Sequence, residues 1–306
     1  MQIPSNPTHP ISTSSPAPRL FAISDVHVDI QANRAWLHAL SAAAYRHDTL
    51  ILAGDVSDNL AVLRDALTHL CGIFAHVCFV PGNHELWVRK REYVDSIAKF
   101  HQIQHLCDAL GVHTRPIKVG ATHADGGVWV VPLFSWYIRP EEGSGSLFKA
   151  KPGEDPTLSM WSDTHFTRWP RQADGQTPAA YFLELNKAHL TKTYDAPIIS
   201  FSHFLPRMEL IYSTPEERRA AGVIVQHDPH PTFNFSRVAG CTGIEDQIRR
   251  LGAMTHVYGH QHRNRDRVID GVRYVSHCLG YPRERQKRSS REQIDGPFLV
   301  WTARGV

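Results

Sequence analysis

Cysteine is scarce in this sequence: five residues in 306, at positions 71, 78, 107, 241 and 278, with no C-x-x-C pair. An odd number without that spacing argues against a disulfide framework and against a thiolate zinc site. The cysteines then read as small buried apolar groups. Long hydrophobic runs are also missing. No apolar stretch approaches the ~20 residues that span a bilayer, so no membrane partner is expected. Net charge is small, a formal +3, which gives no footing by itself for nucleic acid. Residues 1–18 are rich in Pro, Ser and Thr, lack the apolar core of a signal peptide and contain no arginine. They are expected to form a disordered tail, and these absences together point to a cytoplasmic protein. No internal repeat is visible.

What is present is an ordinary globular composition, 42% hydrophobic and 21% charged, with a high count of 20 histidines. The length suffices for a substantial core. The stretch Arg19-Leu20-Phe21-Ala22-Ile23-Ser24 reads as a strand ending at Asp25-Val26-His27. Residues 33–46 have helical spacing, with Asn33 as the expected cap. A second strand, Thr49-Leu50-Ile51-Leu52-Ala53, ends at Gly54-Asp55, and a leucine-faced helix follows over residues 60–72. A third apolar run, His76-Val77-Cys78-Phe79-Val80, is stopped by a Pro-Gly turn that presents Asn83-His84-Glu85. This alternation predicts a parallel β-α-β arrangement, with functional groups at the carboxyl ends of adjacent strands.

Beyond a helix over 93–110, strands of a hairpin or meander are expected at 112–118 and 127–135. Residues 136–177 show no periodicity but hold Trp136, Trp161 and Trp169. A long irregular segment of this kind reads as a lid-like insertion within one domain spanning 19–306. A helix over 178–193 leads to the strand Pro197-Ile198-Ile199-Ser200-Phe201 and then His203. After a second irregular stretch and a helix at 244–251, the strand Thr255-His256-Val257-Tyr258 opens onto Gly259-His260-Gln261-His262. Strands at 272–276 and 297–302 flank a basic loop at 282–291, which reads as a solvated charge run.

Strand ends thus carry Asp25 and His27, Asp55, Asn83 and His84, His203, and His260 and His262. Carboxylate, imidazole and an amide oxygen are donors for borderline divalent ions such as manganese, iron or zinc. Asp25, His27, Asp55, Asn83, His203, His260 and His262 are too many ligands for one ion and suit two ions sharing a carboxylate. Two such ions about 4 Å apart can clamp the attacking and leaving oxygens of an in-line displacement.

The ordered set Asp-x-His, Gly-Asp, Gly-Asn-His-Glu, His and Gly-His-x-His resembles the calcineurin-like metallophosphoesterase superfamily. The resemblance runs from Asp25 to His262. It implies a central β-sandwich flanked by helices, a four-layer αββα arrangement of mixed α/β class. It implies that Asp25, His27 and His262 hold one metal, that Asn83, His203 and His260 hold the other, and that Asp55 bridges them. His84 matches the histidine that contacts the phosphate or protonates the leaving oxygen. Asp58 stands where protein-phosphatase members carry an aspartate that orients that histidine. For Glu85, a bond to the loop backbone and a role behind the ligands both stay open.

The departures narrow the reading. Gly54-Asp55-Val56-Ser57-Asp58-Asn59 lacks the Asp-Arg-Gly run of the protein phosphatases, and Pro81 replaces their arginine before Gly82. Asp58 also occupies the place of the purple acid phosphatases' tyrosine. The remainder resembles the small-molecule phosphoesterases. The expectation is phosphate-ester hydrolysis by a hydroxide bridging two divalent metals, acting on a small-molecule phosphomonoester or phosphodiester. Arg207 and Arg263 are candidate phosphate contacts, since guanidinium binds phosphate in a bidentate fashion. A protein or nucleic-acid phosphoesterase, a hydrolase of a non-phosphate bond and a non-catalytic scaffold are the alternatives. Nucleic acid is disfavoured, because Tyr281 is the one aromatic beside the basic loop.

Overall fold

The computed structural model describes residues 17–89, 92–121, 126–170, 175–220, 230–286 and 294–303. The expected tail falls almost wholly outside them, as does the far half of the basic loop, with Arg288 and Arg291.

Two sheets share one buried core. The first has four strands: β1 (Arg19–Ile23), β2 (Thr49–Leu52), β3 (His76–Phe79) and β10 (Phe298–Thr302), in the order β10-β1-β2-β3. Its three early strands are parallel, and β10 runs antiparallel beside β1. The second has six: β4 (Ile117–Val119), β5 (Val128–Pro132), β6 (Ile198–Phe201), β7 (Thr255–Tyr258), β8 (Arg265–Ile269) and β9 (Val272–Ser276). Their order is β4-β5-β6-β7-β9-β8, with β5, β6, β7 and β9 parallel and the outer strands antiparallel. Strands buried on both faces explain the continuous apolar runs of β1, β2 and β6. Helices flank the sheets, as expected for a mixed α/β sandwich.

The helices are α1 (Gln31–His38), α2 (Ala42–Tyr45), α3 (Leu60–Cys71), α4 (Ser96–Leu110), α5 (Ser162–Phe166), α6 (Pro178–Leu185), α7 (Lys187–Leu190), α8 (Pro215–Ala220), α9 (Thr242–Leu251) and α10 (Pro282–Arg285). The Asn59 side chain caps α3 through the Ala61 and Val62 amides, and Leu63, Ala66, Leu67 and Leu70 form its buried stripe. Asp95 caps α4 through the Ala98 amide, and Gly111 ends it at φ +72°.

The expected helix at 33–46 is two, broken at Ala39–Ser41, and Asn33 does not cap it. Asn33 is buried inside α1, where its Nδ2 donates to the Val26 and Gly280 carbonyls at 2.8 and 3.0 Å. The expected strand at 112–118 is reduced to Ile117–Val119, while β8, which sequence reading passed over, forms the sheet edge. Within 136–177 the only helix among the described residues is α5. The segment is nonetheless anchored, with Trp136, Leu147 and Leu158 buried and Trp136 against Phe204 and Trp169.

Candidate metal centre

The carboxyl ends of five parallel strands meet at one place. Asp25 and His27 follow β1, Asp55 follows β2, Asn83 and His84 follow β3, His203 follows β6, and His260 and His262 follow β7. Backbone bonds tie the ends together. Ser24 bridges to Cys278 beyond β9, the Gly280 amide donates to the Asp25 carbonyl at 2.9 Å, and the His260 amide donates to Asp25 Oδ1 at 3.0 Å.

The local backbone is strained for this purpose. Among the described residues seven non-glycine residues have positive φ, and five of them are Asp25, His27, Asp55, His260 and His262. Such φ values cost energy for residues with a Cβ and collect where geometry is used for function. Glycines make room beside them. A Cβ on Gly82 would lie 2.2 Å from Asp55 Oδ1, and one on Gly54, itself at φ +83°, 2.6 Å from His203 Nδ1.

The donor atoms form two groups. Asp25, His27, Asp55 and His262 offer atoms within 4.8 Å of one another, and so do Asp55, His203 and His260. Asp55 belongs to both. Asn83 joins the second group, its Oδ1 lying 3.2 Å from His203 Nε2. In the first group His262 Nε2 is 3.1 Å from His27 Nε2 and 3.3 Å from Asp25 Oδ1. Asp55 Oδ1 accepts from the His84 amide at 3.0 Å, and its Oδ2 is 3.5 Å from His203 Nε2.

The ring orientations suit a cation. His203 Nδ1 faces the Ala53 carbonyl at 2.8 Å, His260 Nε2 the Val238 carbonyl at 2.9 Å, and His262 Nδ1 the Glu284 carboxylate at 2.8 Å. An N–H held on an oxygen at the far nitrogen leaves the near nitrogen's lone pair for a metal. Charge points the same way. Burial, with the charges of Glu85 and Asp25, pushes the Asp55 carboxyl well above its ordinary range. Burial would also raise Asp25, but His262, His203 and His27 hold it well below. Burial lowers His27 to about 3. On His262 the Asp25 and Glu284 carboxylates overcome burial and raise the ring to about 10. Buried carboxylates and imidazoles with no lysine or arginine among the cleft-lining residues are a donor set that fits divalent ions.

A cleft of about 220 Å³ opens over the groups. Trp87, Trp161, Phe235 and Tyr281 form its apolar walls, and His84, Ser162, Gln261 and Glu284 add polar edges. The His84 ring lies 3.7 Å from Trp87 between centroids, and Tyr281 stacks on His27 at 4.7 Å. Burial, then the neighbouring His27, His262 and His203, push His84 well below its usual value.

Three sequence-derived expectations are placed elsewhere. Asp58 makes no hydrogen bond to His84; its carboxylate pairs with Arg89, which stacks over Trp87 and Phe166. Arg207 is committed to Glu209, Glu245 and Asp270 at 2.7, 3.2 and 2.8 Å and does not line the cleft. Three carboxylates hold it away. Arg263 is exposed and also outside the cleft. For Glu85 the backbone reading matches the geometry: its two oxygens accept from the amides of Asp55, Val56, Ser57 and Gly82 at 2.6–2.9 Å.

Sequence reasoning missed Asp163, Glu284 and Asn33. Asp163 accepts from Asn83 Nδ2, and Glu284 from His262. Arg285 of the basic loop donates to Asn33 Oδ1 at 2.8 Å and to the Gly280 carbonyl at 2.8 Å, bracing the Tyr281 corner.

A family profile described as calcineurin-like phosphoesterase matches residues 18–264. The chain belongs to that family. It is thereby a metal-dependent phosphoester hydrolase, and the Asp/His groups above are its candidate metal ligands. It is 28% identical over 295 residues to the [acyl-carrier-protein] phosphodiesterase PptH of Mycobacterium tuberculosis, covering 89% of this chain and 80% of that protein. The crystal structure of phosphopantetheinyl hydrolase (PptH) from the same organism superposes with a TM-score of 0.69 at 25% identity, over 93% of this chain and 96% of the other. Among the described residues, no helix is long and apolar enough to cross a membrane.

Proposed function

We propose that this chain is a binuclear phosphodiesterase that hydrolyses the phosphodiester joining a phosphopantetheinyl group to an acyl-carrier protein. The observation that carries the reading is the match to PptH over 89% of this chain in sequence and 93% in structure. The cleft supports it. A phosphodiester carries one negative charge where a monoester carries up to two. Walls of Trp87, Trp161, Phe235 and Tyr281, with Glu284 at the edge and no lysine or arginine in the lining, suit the less charged ester with a neutral arm. This reading departs from the expectation of a small-molecule substrate: the ester is attached to a protein.

In this reading Asp25, His27 and His262 hold one divalent ion, Asn83, His203 and His260 the other, and Asp55 both. Manganese, iron and zinc fit these donors. Such ions supply positive charge for the phosphoryl oxygens and lower the pKa of water. The chain supplies the rest. Glu284 and the Ala53 and Val238 carbonyls keep the imidazoles in one tautomer. His84, at the mouth of the cleft over Trp87, is placed to meet the phosphoryl or leaving oxygen. Hydrolysis adds water across the bond between phosphorus and the carrier's oxygen. The carrier protein regains a hydroxyl, and phosphopantetheine leaves as a monoester.

The test is to incubate the manganese-loaded chain with a phosphopantetheinylated carrier protein and follow its mass. Loss of one phosphopantetheinyl group, with turnover of bis-p-nitrophenyl phosphate above p-nitrophenyl phosphate, is expected. An intact carrier protein alongside dominant monoester turnover would overturn the reading in favour of a phosphomonoesterase.

A further inference from the structure

Asp163 lies on α5, inside the irregular 136–177 segment and far in sequence from every candidate ligand. It is 1% exposed. Three N–H donors converge on its carboxylate. Asn83 Nδ2 and Trp87 Nε1 reach Oδ1 at 2.9 and 2.6 Å, and Trp161 Nε1 reaches Oδ2 at 2.9 Å. An indole N–H can only donate, so both carboxylate oxygens act as acceptors. The end of the Asn83 amide that faces Asp163 must then be its NH2. The other end, Oδ1, is thereby turned toward His203 Nε2, 3.2 Å away.

An asparagine amide is otherwise free to present either end, and the wrong one would aim two N–H groups at a cation. The same carboxylate holds Trp87, on which His84 rests, and Trp161, which lines the cleft and stacks on Phe233 at 5.2 Å. Neither neighbour of Asp163 in the chain is a candidate ligand, and no strand leads into it.

We propose that Asp163 is a positioning residue through which the 136–177 segment completes the second metal group: it sets Asn83 with its amide oxygen toward the ion and keeps Trp87 beneath His84. The segment is then part of the metal centre as well as a wall of the cleft. The inference rests on the reading of Asn83 as a metal ligand.

Its test is binding of manganese alone, by competition with a chelator, to the full chain and to two variants. Asp163→Leu is nearly isosteric and leaves the converging N–H donors with no acceptor. The second ion is expected to bind about 10–100-fold more weakly, as on loss of other partners behind a metal ligand, with the first ion within about twofold. Adding Asn83→Asp to Asp163→Leu gives a side chain with oxygen at both ends, which needs no orienting. Second-ion binding is then expected to recover, a rescue that a purely structural role for Asp163 would not produce.

Unchanged second-ion affinity in a folded Asp163→Leu chain, or no recovery in the double variant, overturns the proposal. If Asp163→Leu does not fold, hydrogen exchange of the Asn83 side-chain amide in the intact loaded chain decides. Slow exchange supports the bond to Asp163, and exchange at the solvent rate overturns it. A wild-type chain that takes up fewer than two ions refutes the binuclear reading itself, which separates the two failures.

Discussion

Replacing Glu85 by Gln tests how the ligand loops are held. Glu85 is fully buried, and its carboxylate closes a ring of four backbone amides. Oε2 serves Asp55 and Gly82, and Oε1 serves Val56 and Ser57. Gln keeps one acceptor oxygen and turns an NH2 toward the other pair, so two buried N–H groups lose their partner. Each unsatisfied buried group costs about 1–3 kcal/mol, giving roughly 2–6 kcal/mol together. Removing the charge has an opposite effect, because Glu85 is one of the charges that push Asp55 up. That relief is greatest without metal, where nothing else offsets the carboxylates.

Glu85→Gln is therefore expected to lower the melting temperature by on the order of 10 °C in the metal-loaded chain, at ~2–4 °C per kcal/mol for a domain of this class. The drop should be smaller after chelation. Differential scanning calorimetry of both forms reads it directly. A metal-loaded Glu85→Gln chain melting within about 2 °C of wild type would refute the assignment of Glu85 as the brace of the Asp55 and Gly82 turns.

Glu284→Gln should weaken one ion by about tenfold in chelator competition, because His262 loses the carboxylate at its Nδ1. His84→Ala should lower kcat by roughly 10²–10⁴ with metal content unchanged. Asp58→Asn should leave kcat within about threefold of wild type, since Asp58 pairs with Arg89 instead of His84; equal losses in the two variants would restore the Asp58–His84 pair. Lys99→Met removes a buried ammonium that donates to the Asp58 and Trp87 carbonyls at 2.6 Å each. It should cost about 1–3 kcal/mol in urea unfolding.

The candidate ligands were legible because each follows an apolar run that must be a strand, and parallel strands bring their carboxyl ends to one edge. Asp25, Asp55, Asn83, His203 and His260 sit at such ends. The residues that orient them were not legible. Asp163 meets Asn83 across 80 positions, and Asn33 meets Gly280 across 247. Neither lies at a place that local periodicity marks. Asn33 also shows how a good capping residue misleads: its amide is taken inside the helix by the carbonyls of Val26 and the distant Gly280. The edge strand β8 was missed because its inward positions hold Arg265 and Arg267, paired with Glu217, so no apolar alternation marks it. Arg207 illustrates the converse, since proximity to His203 in sequence says nothing of the three carboxylates that claim its guanidinium.

The most direct test of the centre is elemental analysis of the purified chain after manganese loading and gel filtration, with Asp55→Asn alongside. Asp55 is the one residue common to both donor groups. Two ions per wild-type chain, falling to one or none in Asp55→Asn, is the expected result. A wild-type chain that retains one ion or none, or an Asp55→Asn chain that keeps both with unchanged affinity, would contradict a binuclear centre built on a shared Asp55.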